Sequence, residues 1–187
     1  MFEELRIIYW PDPRLKKVSE PVREFTPALR ELAMRMLELM RESRGVGLAA
    51  PQVGHNLQMF VMNAAKEGEP AANKVYVNPI LSEPEGGEET SEEGCLSLPN
   101  VNAQITRNKA LKMRAQDLEG NWFEEVESGF LARVWQHEFD HLMGVLITDR
   151  MGLADRLKHR RVLKELEEQY EAANPKARSK TKGAKSR

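Results

Sequence analysis

The run Gln136-His137-Glu138-Phe139-Asp140-His141-Leu142 sets two histidines four residues apart around a glutamate. In a helix, positions i and i+4 share a face about 6 Å apart, so both imidazoles can reach one metal ion. Glu138 leaves the helix in a neighbouring direction, where its carboxylate can handle the proton of a water without ligating the metal. Accidental matches to His-Glu-x-x-His occur on the order of once in a few hundred chains of this length. Leu131, Val134 and Leu142 set apolar residues beside the histidines, which predicts a helix at 129–143 that is at least half buried. Ser128 is its expected cap and Gly144 its stop.

The elements around that helix predict an α+β fold: antiparallel or mixed β-sheets packed around a central metal-binding helix, with an N-terminal and a C-terminal helix. Leu29, Leu32, Ala33, Met36, Leu37 and Met40 form one apolar stripe in a helix at 26–43, with Thr26 as cap and Pro27 at the first turn. Residues 45–54 read as a glycine-punctuated loop, and 57–62 and 75–81 as strands, with Pro79 at an edge or strand end. The glutamate-rich stretch 82–94 reads as an acidic loop. Residues 101–106, 110–115 and 122–127 read as an antiparallel meander, with a turn at 117–121. A last charged helix is expected over 153–172, with Leu157, Leu163, Leu166 and Tyr170 inward. Strands and helices follow no βαβ period.

Of the 187 residues, 41% are hydrophobic and 30% charged, a globular composition that excludes collagen-like and fully disordered chains. No apolar run approaches the roughly 20 residues of a bilayer span, so no membrane partner is expected. The start, MFEELRIIYW, lacks the basic segment of a secretory signal, and Cys95 is the one cysteine, so a reducing compartment fits. These features point to the cytoplasm, with an organelle left open. The net charge of −1 divides unevenly. Residues 174–187 hold six bases and no acid; with those removed, 22 bases face 29 acids, a formal −7. One catalytic domain is therefore expected at 1–173, followed by a basic, disordered tail at 174–187.

A catalytic metal takes three protein ligands and keeps one position open. The metzincin continuation fails, because Ile147 stands where its third histidine belongs. A thermolysin-like arrangement would draw on Glu165 or Glu167 downstream. Cys95, in Glu93-Gly94-Cys95-Leu96-Ser97, is the better candidate, since a thiolate with two imidazoles completes the set.

Three blocks, Gly45-Val46-Gly47-Leu48-Ala49-Ala50-Pro51-Gln52, Glu93-Gly94-Cys95-Leu96-Ser97 and Gln136–Leu142, together resemble peptide deformylase, over roughly residues 2–172. The resemblance implies hydrolysis of the N-formyl group from the formylmethionine of nascent polypeptides, with release of formate. It implies Cys95, His137 and His141 as ligands of one divalent ion, Fe²⁺ foremost, with Zn²⁺, Ni²⁺ or Co²⁺ as replacements. It further implies Glu138 as acid/base and Gln52 with the Leu96 N–H as oxyanion donors. A metal-activated water attacking the formyl carbon agrees with this physically. Val46, Phe130 and Val134 are then expected around the methionine side chain, with Gly47 and Gly94 offering backbone edges to the peptide. Arg107 is expected to pair with Glu93, while Asn102 stands where the family often has an arginine. Two other classes fit less of the sequence: a zincin endopeptidase, and a metal-stabilised binding module that would have no use for Glu138. The basic tail suggests contact with ribosomal RNA phosphates.

Overall fold

The computed structural model describes residues 5–65 and 70–175. Its α+β architecture rests on one antiparallel sheet in the order β1-β2-β3-β4-β5, with strands at Gly47–Ala49, Met59–Asn63, Asn73–Cys95, Leu98–Gln116 and Trp122–Ser128. Helix α1 (Pro27–Glu42) forms where the stripe predicts it, and the Thr26 hydroxyl accepts from the Leu29 N–H. All six stripe residues are buried, the leucines and methionines each contributing roughly 1.5–3 kcal/mol through removal of apolar area from water. They pack on Leu48, Met59, Val61 and Val77 of the sheet.

Helix α2 (Gly129–Leu142) packs against β1, β2, β4 and β5. Trp135 is fully buried beneath it, edge-on to Tyr76, which stacks on Phe60 at 4.8 Å. Gly144 ends the helix at φ +70°, and a Cβ there would fall 2.5 Å from the Lys16 carbonyl oxygen. Ser128 holds the cap position, but its side chain makes no capping bond.

Four expectations are corrected. The stretch at 45–54 is a short strand followed by a 3₁₀ turn at Ala50–Val53, because Gly47–Ala49 pairs with Phe60–Met62. The acidic stretch 82–94 is the continuation of β3, not a loop. It pairs with β4 through register irregularities, with Gly86 and Gly87 at positive φ, and its exposed glutamates guard an edge that β2 no longer covers. Pro79 sits where that edge begins. The two expected strands at 101–106 and 110–115 are one strand, β4. The last helix is broken at His159 into α4 (Leu153–Lys158) and α5 (Arg160–Ala173), after a short α3 (Ile147–Arg150). The break turns Leu157 outward, 60% exposed, while Leu166 is buried against Leu98, Val101 and Ile105 of β4. The tail from residue 176 lies outside the described residues.

Candidate metal centre

Helix α2 supplies both histidines and the end of β3 supplies the cysteine. His141 Nε2 lies 3.2 Å from His137 Nε2 and 3.3 Å from Cys95 Sγ. All three ligand atoms lie within 4.8 Å of one another. A tetrahedral ion at ordinary M–N and M–S bond lengths sets such atoms about 3.3–3.6 Å apart, so the donors fit one soft or borderline divalent cation. Glu165 pairs with Arg161 on exposed α5, and Glu167 is exposed there too, so neither alternative third ligand reaches the histidines.

The ligands are held from behind. His137 turns Nδ1 to Glu93 Oε2 at 3.0 Å, which leaves Nε2 facing Cys95 and His141. Burial alone would raise the Glu93 carboxyl, but the bonds from His137 and Arg107 outweigh it and hold it down at about 2. Arg107 donates to both Glu93 oxygens at 2.9 Å, as its expected pairing requires, and Arg133 adds a third bond at 2.8 Å. Burial pushes His141 well below its ordinary value, giving the neutral imidazole a metal needs. Burial pushes His137 the same way, yet its contacts with Cys95 and Glu93 hold it well above, so its surroundings favour a positive charge.

Glu138 is 4% exposed, and its Oε2 has no hydrogen-bond partner among the described residues. Burial pushes its carboxyl up to about 7, where it can accept and return a proton near neutral pH. Gly47 makes room for it: a Cβ on Gly47 would come within 2.7 Å of Glu138 Cδ. Gln52, 1% exposed, accepts from the Ala49 N–H at 2.8 Å. That bond fixes the amide so that Nε2 points at Ser97 Oγ, 3.1 Å, and Cys95 Sγ, 3.6 Å. Gln52 thus presents a donor to the centre. Leu96 lies in the two-residue turn between β3 and β4.

A cavity of about 360 Å³ opens onto these groups. It is lined by Val46, Gly47, Gln52, Gly94, Cys95, Leu96, Phe130, Val134, His137 and Glu138, which brings nearly all the expected site residues together; His141 stands behind them, 1% exposed. Val134 is buried in the wall, whereas Phe130 is 62% exposed at the mouth. Strand β1 ends the sheet, so its outer edge is open among the described residues. Asn102 pairs with Gly94 in the ladder, its Oδ1 2.9 Å from where a Gly94 Cβ would sit. Asp140, Arg133, Arg150 and Ser97 were not singled out from the sequence. A signal was available: Arg133, His137 and Asp140 share a face of α2 at i, i+4 and i+7, so three charged or titratable groups lie along one side of a buried helix.

Residues 4–157 match the family model described as polypeptide deformylase. The chain is 45% identical to a peptide deformylase of Thermotoga petrophila, over 86% of this chain and 95% of that one. A chloroplastic peptide deformylase of Oryza sativa is 40% identical over 89% of this chain and 62% of its own length. Among solved structures, a plant peptide deformylase superposes with a TM-score of 0.88 at 37% identity, covering 94% of this chain and 96% of that one. The enzyme of Thermotoga maritima gives 0.75 at 42% identity, covering 80% and 99%. No helix among the described residues is long and apolar enough to cross a membrane.

Proposed function

Because this chain belongs to the polypeptide deformylase family and is a peptide deformylase, we propose a division of labour among its residues for removing the formyl group of N-formylmethionyl nascent peptides. The observation that carries it is the cavity in which Cys95, His137, Glu138 and Gln52 converge. Cys95, His137 and His141 would hold one divalent ion, with Fe²⁺ the proposed native metal and Zn²⁺, Ni²⁺ or Co²⁺ able to replace it. Bound there, the ion supplies a Lewis acid that polarises a carbonyl and lowers the pKa of water.

The remaining work falls to side chains and backbone. The formyl oxygen sits against Gln52 Nε2 and the Leu96 N–H, which donate to it as negative charge develops; losing one such donor costs about 10²–10³ in rate elsewhere. Glu138 takes a proton from the attacking water and delivers it to the amide nitrogen as the C–N bond breaks, leaving formate and a free α-amino terminus. Val46, Phe130 and Val134 surround the methionine side chain. The peptide backbone adds along the Gly47 edge of β1, with Gly94 opposite. Residues 1–173 act as one catalytic domain, and relatives from bacteria and a chloroplast leave both compartments compatible with it.

Incubation with N-formylmethionyl-alanyl-serine is expected to release formate. A chelator should abolish the release and Fe²⁺ added without oxygen should restore it. Internal cleavage of a longer peptide without formate would point to an endopeptidase, and bound metal without turnover to a binding module. For the basic tail, the proposed contact with ribosomal RNA phosphates predicts ribosome binding that falls steeply with salt. Unchanged binding after deletion of residues 174–187 would remove that role.

A further inference from the structure

Behind the metal centre, Asp140 occupies a position that neither the ligands nor the acid/base group requires. Its side chain is 10% exposed and is held by two arginines. Asp140 Oδ2 accepts from Arg107 Nη1 at 2.5 Å and from Arg150 Nε at 2.5 Å, while Oδ1 accepts from Arg150 Nη2 at 2.6 Å. Arg107 spends its other two nitrogens on Glu93, which bonds His137 Nδ1. An unbroken chain of charge-assisted hydrogen bonds therefore runs Arg150–Asp140–Arg107–Glu93–His137. Its inner side chains are 3–12% exposed, whereas Arg150 is 42% exposed and borders a cavity of about 310 Å³ on that side of α2. Arg150 ends α3, whose first residue, Ile147, is buried, so the arginine approaches Asp140 from an anchored backbone.

We propose that Arg150 is a positioning residue for the metal centre, acting through Asp140, Arg107 and Glu93 on the orientation of His137. The proposal rests on Cys95, His137 and His141 being the metal ligands. The physical reason lies in how Arg107 is shared. With Arg150 present, Asp140 is satisfied by two cations, and Arg107 can keep a two-point grip on Glu93. Without it, a buried carboxylate faces Arg107 alone and draws that guanidinium away from Glu93. The Glu93–His137 bond loosens, and the ring that must aim Nε2 at the ion gains freedom. Asp140 also precedes His141 directly, so the same disturbance reaches a second ligand.

The test uses the full-length protein loaded with Co²⁺, with metal loss to excess chelator followed by visible absorption. Partners directly behind metal ligands change metal affinity by about 10–100-fold, so an effect of about three- to tenfold is expected for Arg150→Met, which acts from further out. kcat should fall by a similar factor with KM within about twofold. Arg150→Lys keeps the charge but loses the two-point contact, so it should lie between wild type and Arg150→Met; it also serves if the methionine variant does not fold. In a Glu93→Gln background, Arg150→Met should add little, because the route to His137 is already cut. An unchanged metal-loss rate at a temperature well below unfolding, or fully additive effects with Glu93→Gln, would overturn the proposal and leave Arg150 a packing contact. Absence of any metal binding in the wild type would instead overturn the ligand assignment beneath it.

Discussion

Glu138→Gln is expected to lower formate release by about 10²–10⁴-fold, the usual worth of a positioned general acid/base, while metal content matches the wild type. Glutamine keeps the shape of the side chain, so the clearance at Gly47 and the packing of α2 survive. What it loses is the ability to accept a proton from water and return it to the departing nitrogen. The substitution should not destabilise the fold. Glu138 Oε2 is buried without a partner among the described residues, and its carboxyl, pushed up to about 7 by burial, is a poor place for a negative charge. The melting temperature should therefore stay level or rise as the rate collapses. A variant with intact metal and more than about a tenth of wild-type kcat would assign the proton transfer elsewhere.

Arg107→Met is expected to be the costliest single change to stability, about 3–5 kcal/mol, because it strips the central cation from a buried network. Arg107 is 4% exposed and bridges Glu93 and Asp140; Arg133 and Arg150 remain, but neither spans both carboxylates. Urea unfolding measures the loss directly, and pH supplies a second signature. The Glu93 carboxyl is held at about 2 in the folded chain against an ordinary value of 4.5. A carboxylate depressed by folding contributes stability that is complete above its unfolded value and disappears as pH falls through its folded one. Wild type should thus lose stability between about pH 4.5 and 2, and Arg107→Met should show a shallower slope there. A loss under 1 kcal/mol with the slope unchanged would mean that Arg133 and His137 suffice to hold Glu93.

The acidic stretch misled the sequence reading for a physical reason. Residues 82–94 carry glutamates and glycines, a composition that marks a loop when alternating burial is the criterion for a strand. Here β3 runs along an open edge, exposed on both faces from Ser82 to Glu92, so there is no alternation to read, and main-chain pairing with β4 keeps it extended. The charges that argue against a strand are what an uncovered edge carries. The last helix failed differently: its periodicity is sound on either side of His159, and the break turns Leu157 into solvent while Leu166 meets β4.

The chemistry of the centre was legible from the residues because it is local. The spacing of His137 and His141, the adjacency of Glu138 and the apolar face of α2 all lie within one helix, where geometry follows from the number of residues between two positions. The residues alone already favoured Cys95 as third ligand over a glutamate of the last helix, and the family resemblance pointed the same way. The fold decides what such spacing cannot: Cys95 is 46 residues from His141, and only the end of β3 meeting α2 brings its sulfur there. The same holds for Arg107, which lies 14 residues from Glu93 and 33 from Asp140, and for the arginine at the end of α3. Hydrophobic periodicity reports which face of an element is buried. Which distant partner waits on that face is set by strand register and helix packing, and these exist only once the chain has folded.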